Sequence, residues 1–87
     1  MDSYRVVFKP SVEKDLKGLT KALVSRIMKR IEGLADDPFR PGVKLSTAER
    51  LYRVRVGDYR IVYEVDSKAR QITVHYVRHR REAYRSL

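Results

Sequence analysis

The sequence predicts an α+β fold with element order βααβββ, and three observations carry that prediction. A run of β-formers stands near the N-terminus, apolar residues then recur at helical spacing as far as Leu34, and from Leu51 the period becomes two. This order describes an N-terminal helical hairpin packed on one face of a largely antiparallel four-stranded sheet. The 87 residues suffice for one domain, 1–87, with a modest core.

The opening YRVVFK, residues 4–9, forms the first strand. Pro10 and Ser11 open a helix, with Ser11 as its N-cap and Val12, Leu16 and Leu19 as a narrow apolar stripe. GLT at 18–20 interrupts the stripe, and Thr20 caps a second helix. There Leu23, Val24, Ile27, Met28, Ile31 and Leu34 keep a 3.6-residue period, while Lys21, Arg26, Lys29, Arg30 and Glu32 hold the outer face. DDPFRPGVK at 36–44 ends that helix, its prolines and Gly42 favouring an irregular connection.

Three strands follow, at 51–56, 59–65 and 71–77. Gly57-Asp58 places glycine first, as a two-residue type II′ hairpin requires. Val56 then faces Tyr59, Arg55 faces Arg60, Val54 faces Ile61 and Arg53 faces Val62. Alternation sends Tyr52, Val54, Val56, Tyr59, Ile61 and Tyr63 to one face. It sends Arg53, Arg55 and Arg60 to the other, with Leu51, Val62 and Glu64. With the helices on the apolar face, the arginines stand on an open concave sheet. Like charges facing each other across a ladder are destabilising, and one carboxylate, Glu64, cannot neutralise three guanidinium groups.

Charge narrows the function. Twenty Lys and Arg against eleven Asp and Glu leave +9, an excess typical of polyanion binders. Residues 1–49 carry ten basic and seven acidic side chains, whereas 50–87 carry ten basic and four acidic. Nine of the latter ten are arginine, whose planar fork suits phosphate. The absence of cysteine excludes disulfides and thiolate metal ligands, and fits a reducing cytosol. No stretch approaches the roughly 20 apolar residues of a membrane span. MDSYRVVFKPSVEKD lacks the pattern of a secretory signal, so a cytoplasmic protein with no membrane partner is expected. The last strand runs into VRHRREAYR, where His79 stands among Arg78, Arg80 and Arg81, cations that favour the neutral imidazole. A neutral imidazole accepts a proton and its conjugate acid donates one. His75, on the strand, reads as structural.

The strand–helix–helix start, then LYRVRVGDYRIVYEVD, then HRREAY, resembles the RelE family of toxins from type II toxin–antitoxin systems. The resemblance covers nearly the whole chain, and its hairpin and terminal motifs are the specific part. It implies an mRNA endoribonuclease that needs no metal or other cofactor, acts in the ribosomal A site of the 70S ribosome, and leaves a 2′,3′-cyclic phosphate. It implies a cognate antitoxin as partner, with operator DNA bound only through the antitoxin complex. The family's basic pair on the second strand falls on Arg53 and Arg55, its arginine after the turn on Arg60, its basic residue after the last strand on Arg80, and its terminal tyrosine on Tyr84.

The residue types fit the implied chemistry. A ribose 2′-OH loses a proton as it attacks phosphorus, the transition state needs cations on its equatorial oxygens, and the 5′-oxygen gains a proton. Preorganised arginines supply the second need. Tyr84 or neutral His79 serves as general base, with Arg80 at the leaving group and Arg53, Arg55, Arg78 and Arg81 on phosphate. Some members carry lysines where this chain has Arg53 and Arg55, and arginine titrates too high to act as a base. Two alternatives stand beside this reading. A ParE-like relative would inhibit DNA gyrase, although such proteins generally lack the terminal His-Arg and Tyr combination. A non-catalytic nucleic-acid-binding homologue, acting with its antitoxin in repression, would need stacking aromatics on the basic face, whereas the hairpin tyrosines fall on the apolar one.

Overall fold

Seven elements follow one another in the computed structural model, which describes residues 3–39, 43–46 and 51–79. They are β1 (Arg5–Phe8), α1 (Pro10–Lys17), α2 (Lys21–Asp36), β2 (Val43–Ser46), β3 (Leu51–Val56), β4 (Tyr59–Asp66) and β5 (Gln71–His79). The sheet order is β1-β5-β4-β3-β2. The pairing of β1 with β5 is parallel and the other three are antiparallel. The last strand therefore lies between the first and the hairpin. No helix among the described residues is long and apolar enough to cross a membrane.

The α+β architecture is the one the periodicities predict, with a fifth strand added at one edge. That strand, VKLS, pairs with β3 through a register shift between Lys44 and Ser46. Four residues behind a Pro-Gly pair are too short to announce a period of two. The hairpin register is as expected throughout, from Val56 opposite Tyr59 to Arg53 opposite Val62. Gly57 has φ +58 while Asp58 is not among the residues of positive φ, the combination a type II′ turn demands.

One cap differs from expectation. Lys9, not Ser11, is the N-cap of α1, and Pro10 occupies the first helical position. Proline lacks the N–H that would be orphaned there and has its φ preset for the helix. Ser11 is thereby released for a contact with the sheet. Thr20 does cap α2, accepting a hydrogen bond from the Leu23 N–H at 3.2 Å.

The core lies between the helices and one sheet face. Val12, Ile27, Ile31 and Leu34 meet Val54, Val56, Ile61, Tyr63, Val65, Ile72, Val74 and Val77. Each such side chain contributes about 1.5–3 kcal/mol on burial, before chain entropy is subtracted. An aromatic ladder closes one end. Tyr52 stacks on Tyr63 at 5.8 Å, Phe39 meets Tyr52 edge-on at 5.5 Å, and Tyr4 meets Phe39 at 6.5 Å. The buried Tyr63 hydroxyl donates to the Pro38 carbonyl at 2.7 Å, tying the chain beyond α2 to a central strand.

Burial, with Tyr52 adding to it, pushes the Tyr63 phenol from its ordinary 10.0 up to about 12. Below pH 10 both folded and unfolded chains keep this proton. Between about 10 and 12 the unfolded chain releases it while the native chain holds it, so stability falls as pH rises through that window. Replacing Tyr63 with Phe should cost about 1–2 kcal/mol at neutral pH through removal of the hydrogen bond. It should also remove this residue's share of the alkaline decline, which urea titrations at neutral and high pH would measure.

Candidate functional site

The site begins with a mismatch of strand lengths. β1 has four residues and β5 has nine, so β5 runs on past the end of its parallel neighbour. The Lys9 N–H reaches the Val74 carbonyl at 3.0 Å, and there the β1 ladder stops. Backbone groups beyond that point would lack partners on this edge. α1 supplies them from one helical turn. The Ser11 hydroxyl donates to the His75 carbonyl at 3.0 Å, and the Asp15 carboxylate accepts from the Val77 N–H at 3.0 Å. Ser11 and Asp15 are four residues apart, hence stacked on the same helix face.

Between these two contacts β5 carries a bulge. Tyr63 pairs with Val74 and Val62 pairs with Tyr76, which leaves His75 as the extra residue. A bulge shifts alternation by one and re-aims the side chains that follow. Before it, Ile72 and Val74 face the core; after it, Val77 does. Strict alternation would have turned Tyr76 and Arg78 toward the helices. With the bulge they turn to the opposite face.

That face now reads as rows across β3, β4 and β5. Arg55 stands opposite Arg60, and Arg60 opposite Arg78. The next row is Arg53, Val62 and Tyr76. The guanidinium carbon of Arg78 lies 4.5 Å from the centre of the Tyr76 ring, a cation–π stack. Beyond them Glu64 contacts His75, Nε2 to Oε1, at 3.1 Å. The carboxylate expected to neutralise an arginine is thus engaged by the bulge histidine, which has the structural place assigned to it.

One expectation needs correction, and one candidate residue takes a face that alternation alone does not give. The arginine face is not uniformly open: Arg55 is exposed, Arg53 and Arg78 are half-buried, and Arg60 is only 1% exposed. Arg60 sits on the strand between two others and is the one buried charged side chain among the described residues. His79 lies on the face opposite Arg55 and Arg60. It pairs with Tyr59 on the helix-covered face, their rings edge-to-face at 5.4 Å. There it lines a recess of about 270 Å³ with Lys14, Asp15, Leu19, Val77 and the neighbouring Arg78. The same bulge that delivers Arg78 to the arginine row turns His79 away from it. Arg80, Arg81 and Tyr84 lie outside the described residues. Tyr76 was missed because the bulge has no period-two signature; the spacing Ile72, Val74, Val77 was the available clue. Among the described residues no three of His, Cys, Asp or Glu come together to hold a metal ion.

The sequence model of a family described as the ParE toxin of type II toxin–antitoxin systems matches residues 6–84. The chain belongs to the RelE/ParE superfamily of type II toxins. Toxin RelE of Mycobacterium tuberculosis is 29% identical over 84 residues, covering 94% of this chain and 87% of that protein. The archaeal RelE–RelB complex from Pyrococcus horikoshii contains a chain 32% identical to this toxin, with a TM-score of 0.81, covering 90% of this chain and 96% of its own. The RelB–RelE antitoxin–toxin complex from Methanococcus jannaschii matches at 28% identity and TM-score 0.75, covering 93% and 98% of the two chains. In this toxin, then, the superfamily fold carries an arginine row held in line by a bulge.

The clamp on that bulge is testable. Asp15→Ala strips the partner from the half-buried Val77 N–H, an unsatisfied donor that costs about 1–3 kcal/mol. Native-state hydrogen exchange should show the Val77 amide accelerated while that of Ile61, inside the hairpin ladder, changes only with global stability.

Proposed function

We propose that this toxin is a metal-independent endoribonuclease that cleaves mRNA in the ribosomal A site and so arrests translation. The observation that carries this reading is the row Arg55–Arg60–Arg78, three arginines at paired register positions on adjacent strands. A phosphodiester passing through its transition state places added negative charge on two equatorial oxygens. Fixed cations aimed at that charge stabilise the transition state more than the ground state, with little reorganisation. Arg60, held by burial, is the fixed element. Arg55 and Arg53 grip the flanking phosphates, with Arg81 continuing the contact. Arg78, stacked on Tyr76, presents its plane to the same strand.

Proton transfer falls to the terminal segment. Tyr84, acting as its phenolate, takes the 2′-OH proton, and Arg80 stabilises the departing 5′-oxygen, which takes its proton from water. Of the two candidate bases, Tyr84 and His79, this assignment takes Tyr84, because the His79 ring packs on the far face with Tyr59. With so few acid–base groups, the toxin should cleave free RNA slowly and rely on the ribosome to hold the message in line. A cognate antitoxin silences it at rest, and the RelE–RelB complexes among its relatives support such a partner. An acidic segment over the arginine row is the complementary surface, and operator DNA would be met through that complex.

A second reading, gyrase inhibition, is favoured by the description of the matching family as ParE toxin. Primer extension on mRNA from induced cells separates the two. The wild type should give cuts in frame with codons. Arg60→Ala should reduce them by about 10²–10³-fold, the loss typical of one transition-state donor. Arg80→Ala should do the same, and Tyr84→Phe should cost about 10²–10⁴-fold as loss of a general base. Intact messages in arrested cells with broken DNA would instead support the gyrase reading.

A further inference from the structure

A cleft of about 570 Å³ opens between the outer face of α2 and the end of the β3–β4 hairpin. Its lining is Arg26, Lys29, Arg30, Arg55, Val56 and Gly57. Four of these six are cations and none is an acid. Arg26, Lys29 and Arg30 stand at positions i, i+3 and i+4 of α2, so they share one helix surface, where like charges weaken the helix slightly. Glu32 is on the same helix and Asp58 is in the adjacent turn, yet neither lines the cleft. Among the described residues none of the four cations forms an ion pair. A solvated lysine face needs no such wall. This one joins a helix to a hairpin end, and three of its four cations are arginine.

Arg55 connects the cleft to the site. It is the exposed outer member of the row Arg78–Arg60–Arg55 and also a wall of the cleft. Basic residues therefore occupy successive positions from β5 across the sheet to α2, with Arg60 buried between the more accessible Arg78 and Arg55.

We propose that this cleft holds an RNA phosphodiester backbone beyond the nucleotides gripped by the arginine row. The proposal rests on the ribonuclease reading for its substrate class. Arginine forks in an open cleft match phosphate oxygens, which are chelated two at a time. A wrapping antitoxin segment fits less well, since amphipathic peptides need apolar anchors and the cleft offers only Val56. The backbone belongs either to the continuing substrate strand or to a second RNA.

The test is RNA binding by the full chain across a salt series, using 2′-O-methyl oligonucleotides that cannot be cut. One oligonucleotide is long enough to pass from the row into the cleft and one covers the row alone. The comparison is wild type against the triple variant Arg26→Gln, Lys29→Gln, Arg30→Gln; glutamine keeps helix propensity, and thermal melting verifies the fold. Each phosphate that the variant no longer neutralises makes the log K versus log salt slope shallower by about 0.7 for single strands, so three such phosphates reduce it by about 2. An effect confined to the long oligonucleotide identifies a continuing strand. If instead the short one binds wild type at two sites and the variant at one, a separate RNA fills the cleft. Equal slopes and stoichiometries for both oligonucleotides overturn the proposal, as does a variant that loses antitoxin affinity alone. A wild type that binds in the expected way yet never cuts mRNA refutes the ribonuclease reading and leaves the cleft standing.

Discussion

The bulge at His75 is the constraint on which the site depends. One extra residue in β5 decides which side of the sheet receives Tyr76, Arg78 and His79. A bulge is a weak point in a ladder, and here α1 secures it from outside. Ser11 holds the His75 carbonyl and Asp15 holds the Val77 N–H, so the helix completes the hydrogen bonding that β1 is too short to provide. On the other face, Glu64 holds the imidazole of the bulged residue itself. Sequence, helix and sheet meet at this irregularity, and the place of Arg78 beside the hairpin arginines is its consequence.

The row is costly to the fold. Arg55, Arg60 and Arg78 are neighbours on adjacent strands, a spacing at which like charges repel, and Arg60 is buried as well. A protein selected only for stability would place apolar or oppositely charged side chains there. Functional sites are where such local rules are broken, with the loss offset elsewhere. The offset here is the apolar interface on the far side of the same strands, where Ile61 and Tyr63 of β4 are fully buried. On the proposed function, a phosphodiester would bring negative charge to a row of cations already in place on adjacent strands.

Much of this was legible in the sequence, and the illegible part has one cause. The hairpin register followed from Gly57-Asp58 and from alternation, because a two-residue turn and a half-buried strand fix pairing between them. The helix faces followed from spacing, and Thr20 as a cap from residue type. What alternation cannot reveal is where it fails. His79 looked like a partner of the arginines because it is adjacent to them in sequence, and Tyr76 drew no notice; the bulge exchanges their faces. Burial of Arg60 was hidden for a related reason, since a period-two pattern says which face a residue takes and not how deeply it is packed. The short strand β2 and the parallel pairing of β1 depend on contacts distant in sequence, which local patterns do not encode. Superfamily membership was legible in LYRVRVGDYRIVYEVD and HRREAY, since these motifs run through the hairpin and past the last strand.

The central claim is that RNA is held on the face that the bulge creates, by Arg55, Arg60 and Arg78 together. Side-chain Nε–Hε resonances of arginine report this directly. Titrating the labelled toxin with a 2′-O-methyl RNA that cannot be cut should shift and sharpen the signals of those three residues in step. The ring resonances of Tyr59 and His79, on the opposite face, should stay in place. Shifts centred on Tyr59, His79 and Lys14, with the three arginine signals unmoved, would contradict the account.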